Sequence, residues 1–380
     1  MNIGLLPRVR VNYSLRDLIK GFLKSEHRDD ARTELREMLS SRFVTKNVLL
    51  TSSGRAGIYM VLRALPQKKV VVPAYTCMVV VEAAMLAGKE IVYASTSKKT
   101  FNTTSLPKLD SDTIVIATHQ YGLPCDIEAI SKQCRACDAV LLEDCAAALG
   151  TKINGQYAGT FGDFAIFSFD SSKLVTVPSK GGFILAKDEK MLQRIVDATP
   201  LLPNTVKYKV KHLARGLIYW FLKNKWIYRL FHSVTMGKKM QLADHAEPDL
   251  TLGEFYTHGF YEWQAIIALS QFKKLDGIIA KRQKVYAYYD EHIHNSKILK
   301  PQHNKEAACI RYAIQVENKE DLYHKCLSKG VDMGFSFNHV ACPDTWKEEH
   351  EIARDVLNLP YYYDISDREM ARVVTVINEL

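Results

Sequence analysis

At 380 residues, with 47% hydrophobic, 10% aromatic and 24% charged side chains and only 19 Gly and 12 Pro, the chain has the composition of a folded protein of two or three domains. Disordered, collagen-like and low-complexity classes are excluded. Its net charge of +9 would suit a nucleic-acid binder, but nine Lys or Arg residues and no acid lie between Val206 and Met240, and removing them leaves 42 bases against 42 acids; the imbalance points to one local anionic partner or surface.

The stretch from about Leu15 to Phe43 is basic and predicted helical. Short β-branched runs then alternate with helical patterns. Strands are expected at VVVP ending at Pro73, EIVYA from Glu90, TIVIAT from Thr113, AVLLED from Ala139, FAIFSF from Phe164 and GGFILA from Gly181. Helical patterns begin at Gly57 (GIYMVLRAL), Val79 (VVVEAAMLAG) and Asp126 (DIEAISKQC). Such alternation implies an α/β domain with a largely parallel sheet. Beyond about residue 250 the pattern changes to a long helical stretch from Glu262, a strand-like CIRYAIQV from Cys309, a helix from Glu320 and a closing helix from Ser366, where Ser366 and Glu369 have the spacing of a capping box. The expected organisation is a large α/β domain over 1–250, carrying a basic aromatic insert at about 206–240, and a smaller C-terminal α+β domain over 251–380.

The longest apolar runs, such as LIYWFL from Leu217, fall far short of the roughly 18 residues that span a bilayer. MNIGLLPRVRV has no apolar region of the signal-peptide kind, and eight scattered cysteines do not make a disulfide framework, so a reduced, cytoplasmic protein is expected. Cys134 and Cys137 have no second CxxC, and no metal site is expected from them.

In open α/β sheets ligands sit beyond the carboxyl ends of the strands. Three strand-terminal features fall there. TSSGRAGIY from Thr51 places hydroxyl and small residues before a helix, which reads either as a phosphate cradle or as an ordinary N-cap. Asp144 ends AVLLED, with Glu143 pointing to the opposite face because strand side chains alternate. Lys173 closes FSFDSSK, five residues after Ser168. A phosphate cradle, an acid and a lysine together are what a protein contributes to pyridoxal phosphate chemistry. His119 sits near a strand end, where it either touches substrate or is buried and bonded, and Tyr361, Tyr362 and Tyr363 read as core and rim.

With VVVPAYT from Val70, THQYGLPCDIEAI from Thr118, LLEDCAAALG from Leu141, GTFGDFAIFSFDSSK from Gly159, QAIIALSQFKKLD from Gln264 and DVLNLPYYYDISDREM from Asp355 in this order, the chain resembles the DegT/DnrJ sugar-nucleotide aminotransferases. The resemblance covers roughly 45–200 and 260–380 and implies the aspartate aminotransferase-like fold. It also implies pyridoxal 5'-phosphate, with Lys173 as the Schiff-base lysine and general acid/base and Asp144 as partner of the pyridinium nitrogen. Ser168 and the backbone of Ser53, Gly54 and Arg55 would bind phosphate. The implied reaction moves an amino group from glutamate to a nucleotide-linked keto-sugar for surface-polysaccharide or amino-sugar synthesis, in a homodimer with sites at the subunit interface. Four positions depart from the family pattern. Cys77 replaces an aromatic that stacks on the cofactor, Ala147 a Gln, and Thr257 an Asn that reaches the neighbouring subunit's phosphate; Lys180 stands where an acid is frequent. Because Lys173 is a lysine, the dehydratase branch, with His at that place, is disfavoured. The changed pocket leaves open a carrier-free or lipid-linked keto-sugar, or a non-catalytic binding protein on the same fold. Nothing outside the insert interleaves aromatic and basic residues as a nucleic-acid surface does.

The insert has two readings. Lys207, Lys211 and Arg215 recur every four residues, among apolar Leu213, Leu217, Trp220, Phe221, Ile227 and Phe231. That suits peripheral contact with a membrane, or a helix packed on the body of the protein or a partner subunit with its lysines in water.

Overall fold

The computed structural model describes residues 4–23, 30–199, 201–235 and 247–379. Eight strands form its main sheet: β1 Val48–Thr51, β2 Lys69–Pro73, β3 Glu90–Thr96, β4 Thr103–Ser105, β5 Thr113–Thr118, β6 Val140–Asp144, β7 Phe164–Ser168 and β8 Gly182–Ala186. Their spatial order is β1-β8-β7-β6-β5-β2-β3-β4. From β7 to β3 every pair is parallel, whereas β8 is antiparallel to both β1 and β7, and β4 is antiparallel to β3.

Alternation along the strands explains why the sheet is covered on both faces. Val70 and Val72, Ile114 and Ile116, Ile166 and Ile184 share one core with the helices Gly54–Ala64 and Met78–Leu86. Their neighbours Val71, Val115, Ala117 and Leu141 face the helix Ile127–Ala136, and Phe167, Phe183 and Leu185 face the helices Asp30–Phe43 and Glu262–Phe272. All six residues of β5 are buried, so TIVIAT reads as an unbroken apolar run rather than an alternating one.

The expected strands are all present, but β1 and β4 were not expected. Both are short and lie at or near the sheet's edges, where apolar patterning is weakest. The N-terminal stretch forms two helices, Leu15–Leu23 and Asp30–Phe43. The long stretch from Glu262 is likewise two helices, Glu262–Phe272 and Leu275–His292, interrupted at Lys273 and Lys274. CIRYAIQV contributes only Ala313–Gln315 as strand, paired antiparallel with Val356–Asn358. At Ser366 the capping box is closed: Glu369 donates its N–H to Ser366 Oγ (3.3 Å), and Ser366 donates its N–H to Glu369 Oε2 (3.0 Å).

A second core unites Val285, Tyr289, Tyr312, Ile314, Leu357, Tyr361, Tyr362 and Ile377, and Tyr75, Tyr121 and Leu123 reach into it from the sheet's edge. Residues through Ile279 pack instead with the sheet. By core membership we propose that the division between the two bodies falls inside the helix Leu275–His292 rather than at residue 250.

The basic insert forms two helices, Val206–Phe221 and Lys225–Thr235; Met236–Met240, with Lys238 and Lys239, lie outside the described residues. The first buries Tyr208, His212, Leu213 and Gly216 against a core containing Tyr13, Leu18, Trp263 and Ile267.

Candidate active site

Parallel strands bring their carboxyl ends to one edge of the sheet, and β1 runs the same way across the antiparallel β8. Residues just past those ends therefore converge. Ser53 to Arg55 after β1, Thr76 and Cys77 after β2, Thr118, Gln120 and Tyr121 at β5, Asp144 and Ala147 at β6, and Ser168, Asp170 and Lys173 past β7 line one cavity of about 260 Å³. Its far wall is Ile310, Arg311 and Phe335–Phe337.

One end of the cavity is a helix N-terminus. Ser53, extended at φ −167°, caps the helix Gly54–Ala64 by accepting the Ala56 N–H (3.1 Å), and the Ser52 and Ser53 hydroxyls both donate to the Phe255 carbonyl (2.7 Å each). The Ser53 side chain is thus an N-cap, while the first-turn N–H groups lack intrahelical acceptors and favour an anion. Gly54 is needed there: a Cβ on it would stand 2.9 Å from Ser168 Cβ and 3.3 Å from its Oγ. Only glycine lets the Ser168 hydroxyl sit against the helix end.

Asp144 is buried at the sheet edge, and its Oδ1 accepts the Ala146 N–H (3.0 Å). Burial pushes its carboxyl up, while the Ala146 N–H and the charges of Lys173 and His119 draw it down. Burial lowers the Lys173 amine, against the pull of Cys77, Asp170 and Asp144. Asp170 would rise on burial, but Lys180, with Nζ 3.3 Å from its Oδ2, and Lys173 hold it below the usual carboxylate range. Arg311 is brought down to about 10 by burial and by Arg282, against the pull of Tyr121 and Asp170, and it makes no ion pair among the described residues. The cavity's charged lining is four bases, Arg55, Lys173, Lys180 and Arg311, against two acids, Asp144 and Asp170.

Glu143, on the opposite face of β6, does structural work. Its carboxylate accepts the N–H groups of Gly159 (2.8 Å), Phe161 (2.6 Å) and Gly162 (2.8 Å) and meets His119 Nε2 at 3.3 Å. His119 is fully buried and its Nδ1 accepts the Cys125 N–H (3.2 Å), so of its two readings the buried, bonded one holds. Glu143→Ala would strand three N–H groups and the imidazole, and a loss of about 3–5 kcal/mol is expected. Urea unfolding monitored by circular dichroism measures it; an unchanged midpoint would contradict this account.

The cavity thus gathers Lys173, Asp144, Ser168, Ser53, Gly54, Arg55, Cys77 and Ala147. The Arg55 guanidinium turns away, 3.7 Å from Glu82 Oε2, so its place at the helix end is a backbone one. Thr257 does not join them in this chain; it ends the helix Glu254–Thr257, and its Oγ1 donates to the Gly253 carbonyl (3.3 Å). Sequence reasoning missed Tyr121, Phe337 and Arg311. With Cys77 a thiol, the aromatic lining comes instead from Tyr121, Phe335 and Phe337; the rings of Tyr121 and Phe337 stack at 5.5 Å, and Tyr75 Oη lies 2.6 Å from Tyr121 Oη. Tyr121, Lys180 and Phe337 all take positive φ (58°, 75° and 59°), a strain that collects at functional sites. A lone Arg inside CIRYAIQV was the available signal for Arg311.

Does this cavity suit pyridoxal phosphate? Thr76 Oγ1, Thr118 Oγ1 and Gln120 Nε2 are buried polar atoms with no protein partner, and all three residues line it. Such orphans call for a polar ligand. With the glycine-fitted helix end and Ser168 for phosphate, Asp144 for a ring nitrogen and Lys173 for an aldehyde, the residues fit.

An open α/β sheet with this lysine, acid and anion site at its carboxyl edge defines a pyridoxal phosphate-dependent enzyme of the aspartate aminotransferase-like fold. The chain belongs to the DegT/DnrJ/EryC1/StrS aminotransferase family, whose model matches residues 29–378. It is 24% identical over 347 residues to GDP-perosamine synthase of Escherichia coli O157:H7, covering 86% of this chain and 84% of that protein. It is also 24% identical over 346 residues to the UDP-N-acetyl-3-dehydro-alpha-D-glucosamine 3-aminotransferase of Acidithiobacillus ferrooxidans, covering 86% and 82%. In fold it is similar to Helicobacter pylori PseC, an aminotransferase involved in the biosynthesis of pseudoaminic acid, with a TM-score of 0.76 at 14% identity over 99% of this chain and 98% of that one. The PLP-form of Spr1654 from Streptococcus pneumoniae is similar in fold with a TM-score of 0.72 at 16% identity, over 99% of this chain and 98% of that one.

Proposed function

We propose that this aminotransferase transfers the amino group of glutamate to a nucleotide-linked keto-sugar in amino-sugar or surface-polysaccharide synthesis. The observation that carries the reading is that the cavity around Lys173 and Asp144 joins a helix N-terminus and Ser168 to the Arg311 guanidinium, which makes no ion pair among the described residues; together they suit a phosphate cofactor, a carboxylate donor and a diphosphate-linked acceptor alike. Pyridoxal phosphate, when bound, supplies the electron sink. The chain's own part is positional. Ser168 and the helix end at Ser53–Arg55 hold the phosphate, Asp144 holds a proton on the ring nitrogen, and the Lys173 amine moves a proton at the donor's α-carbon. The unpaired Arg311 guanidinium is the natural partner for a donor carboxylate.

The test supplies the holoenzyme with glutamate and a panel of nucleotide-linked keto-sugars and follows 2-oxoglutarate release. Failure with every nucleotide-linked sugar, while a carrier-free keto-sugar is aminated, would overturn the assignment of the acceptor. A charge-assisted hydrogen bond contributes about 2 kcal/mol. Arg311→Gln is therefore expected to raise the KM for glutamate about 30-fold with cofactor binding unchanged; an unaltered KM would remove Arg311 from the donor site.

We further propose a cytoplasmic homodimer. All eight cysteines are free, as suits a reducing compartment, and among the described residues no helix is long and apolar enough to cross a membrane. Thr257, outside its own chain's cavity, is offered as a contact to the second copy's phosphate site. Sedimentation equilibrium giving the monomer mass would refute the dimer.

A further inference from the structure

The two helices of the insert are amphipathic in an unusual sense: apolar residues occupy the face turned to water as well as the face turned to the protein. On Val206–Phe221 the inward face is Tyr208, His212, Leu213 and Gly216, and at Gly216 a Cβ would stand 2.5 Å from Pro178 Cγ, so this face is seated closely. The outward face carries Val206, Val210, Leu217, Ile218 and Phe221, exposed by 78, 47, 39, 53 and 46%. Their spacing of four, seven, one and three is that of a single helical stripe. On Lys225–Thr235 the exposed Trp226, Leu230 and Val234 recur every four residues and make a second stripe. The helix Leu15–Leu23, which packs on Val206–Phe221, exposes Ile19, Phe22 and Leu23 in the same way. Water-facing apolar stripes on three helices, two of them packed together, mark an interaction site.

Charge identifies the partner. Residues 206–235 carry seven bases and no acid. From elsewhere in the chain, Glu254 pairs with Lys211 (2.8 Å) and Asp364 approaches Lys223 (4.0 Å), while Lys207 and Arg215 stand exposed beside the stripe. A second copy seated on this face by a two-fold axis would set base against base. A nucleic acid would use the bases and leave the aliphatic stripes in water. An anionic bilayer satisfies both, the apolar side chains entering the acyl boundary and the lysine and arginine heads remaining at the phosphates.

We infer that the insert is an interfacial membrane anchor that seats the enzyme on a bilayer surface bearing anionic lipid, without spanning it. This stands independently of the acceptor assigned above. Full-length holoenzyme is mixed with vesicles of phosphatidylglycerol and phosphatidylcholine, or of phosphatidylcholine alone, at low and high salt, and sedimented. The protein is expected to sediment with the mixed vesicles and to stay in solution with neutral ones. Each base removed should weaken partitioning about five-fold. The double variant Lys207→Glu/Arg215→Glu should lose binding at low salt, and Leu217→Ser/Ile218→Ser/Phe221→Ser should lose what persists at high salt. Both sets of side chains are exposed, so thermal midpoint and turnover without lipid should match the parent. A measurement on the unmutated protein guards against misfolding: brominated lipid should quench tryptophan fluorescence, and Trp226→Phe should remove most of that quenching. Absence of the parent protein from the anionic pellet, equal sedimentation of parent and both variants, or quenching indifferent to Trp226 would each overturn the inference. So would a triple serine variant that changes the sedimentation-equilibrium mass while the parent ignores lipid, which would give the face to a second copy.

Discussion

Lys173→Ala is expected to abolish turnover, by about 10⁴-fold or more, while leaving the protein folded and able to take up cofactor. The expected fall is large because, in the role proposed for it, one amine would both hold the cofactor's aldehyde and carry a proton to and from the donor's α-carbon, a transfer that positioned groups accelerate by about 10²–10⁴-fold. The fold should persist because Lys173 is only half-buried, past the end of β7, and no hydrogen bond of its amine supports the sheet. In the parent protein, borohydride treatment should fix the cofactor to the peptide containing Lys173. Fixation on Lys180, whose ammonium is instead held 3.3 Å from Asp170, would overturn the assignment. The sign of the pH effect follows from burial. The neutral amine is the nucleophile and its pKa is lowered, so the rate of cofactor attachment should rise with pH and level off below the range of a free lysine. A rate still climbing at the ordinary lysine pKa would contradict it.

Asp144→Ala is expected to lower turnover about 10³-fold, the scale of losing one preorganised electrostatic partner from a buried site, with cofactor still bound but more weakly. The Asp144 carboxylate accepts the Ala146 N–H, and the cavity's other acid, Asp170, is already paired with Lys180. Glu143 is adjacent in sequence but faces the other side of the strand, where four groups already hold it. Burial raises the Asp144 pKa, so activity in the parent should fall on the acid side as the carboxylate takes up its proton. That acid limb should be missing from the residual activity of the Ala variant. Full turnover by the variant, or an unchanged acid limb, would remove Asp144 from the proposed role.

The parts of this site that were legible in the sequence lie at or just beyond the carboxyl ends of strands. Asp144 could be found because strand periodicity fixes which face it takes, and Lys173 after FSFDSS and the small residues before the first sheet helix because each follows a strand and stands in the order the family resemblance implies. Tyr121 and Phe337 could not, since their place depends on left-handed backbone positions and on a contact between chain segments more than 200 residues apart. Arg311 was visible as a charge in an apolar run, yet only the packing of the second body against the sheet shows that it faces Lys173. The break at Lys273–Lys274 left no trace either, because lysine is a good helix former and the apolar pattern continues through it. In the insert, hydrophobic content was plain from composition, but which side of the helix met the protein was not.

The chain entering the insert and the chain leaving it lie side by side. Leu202 donates its N–H to the Thr257 carbonyl (2.7 Å) and bridges to His258, so the points where the chain enters and leaves the insert are tied together. A chain that leaves and re-enters through one doorway can lengthen or shorten beyond it without shifting the register of any sheet strand, and each doubling of such a loop costs only about 0.6 kcal/mol. The doorway is not remote from the chemistry. Two residues before Thr257, the Phe255 carbonyl takes the hydroxyls of Ser52 and Ser53, at the very helix end that would hold phosphate. The segment's return to the body therefore shares a backbone carbonyl with the mouth of the cavity.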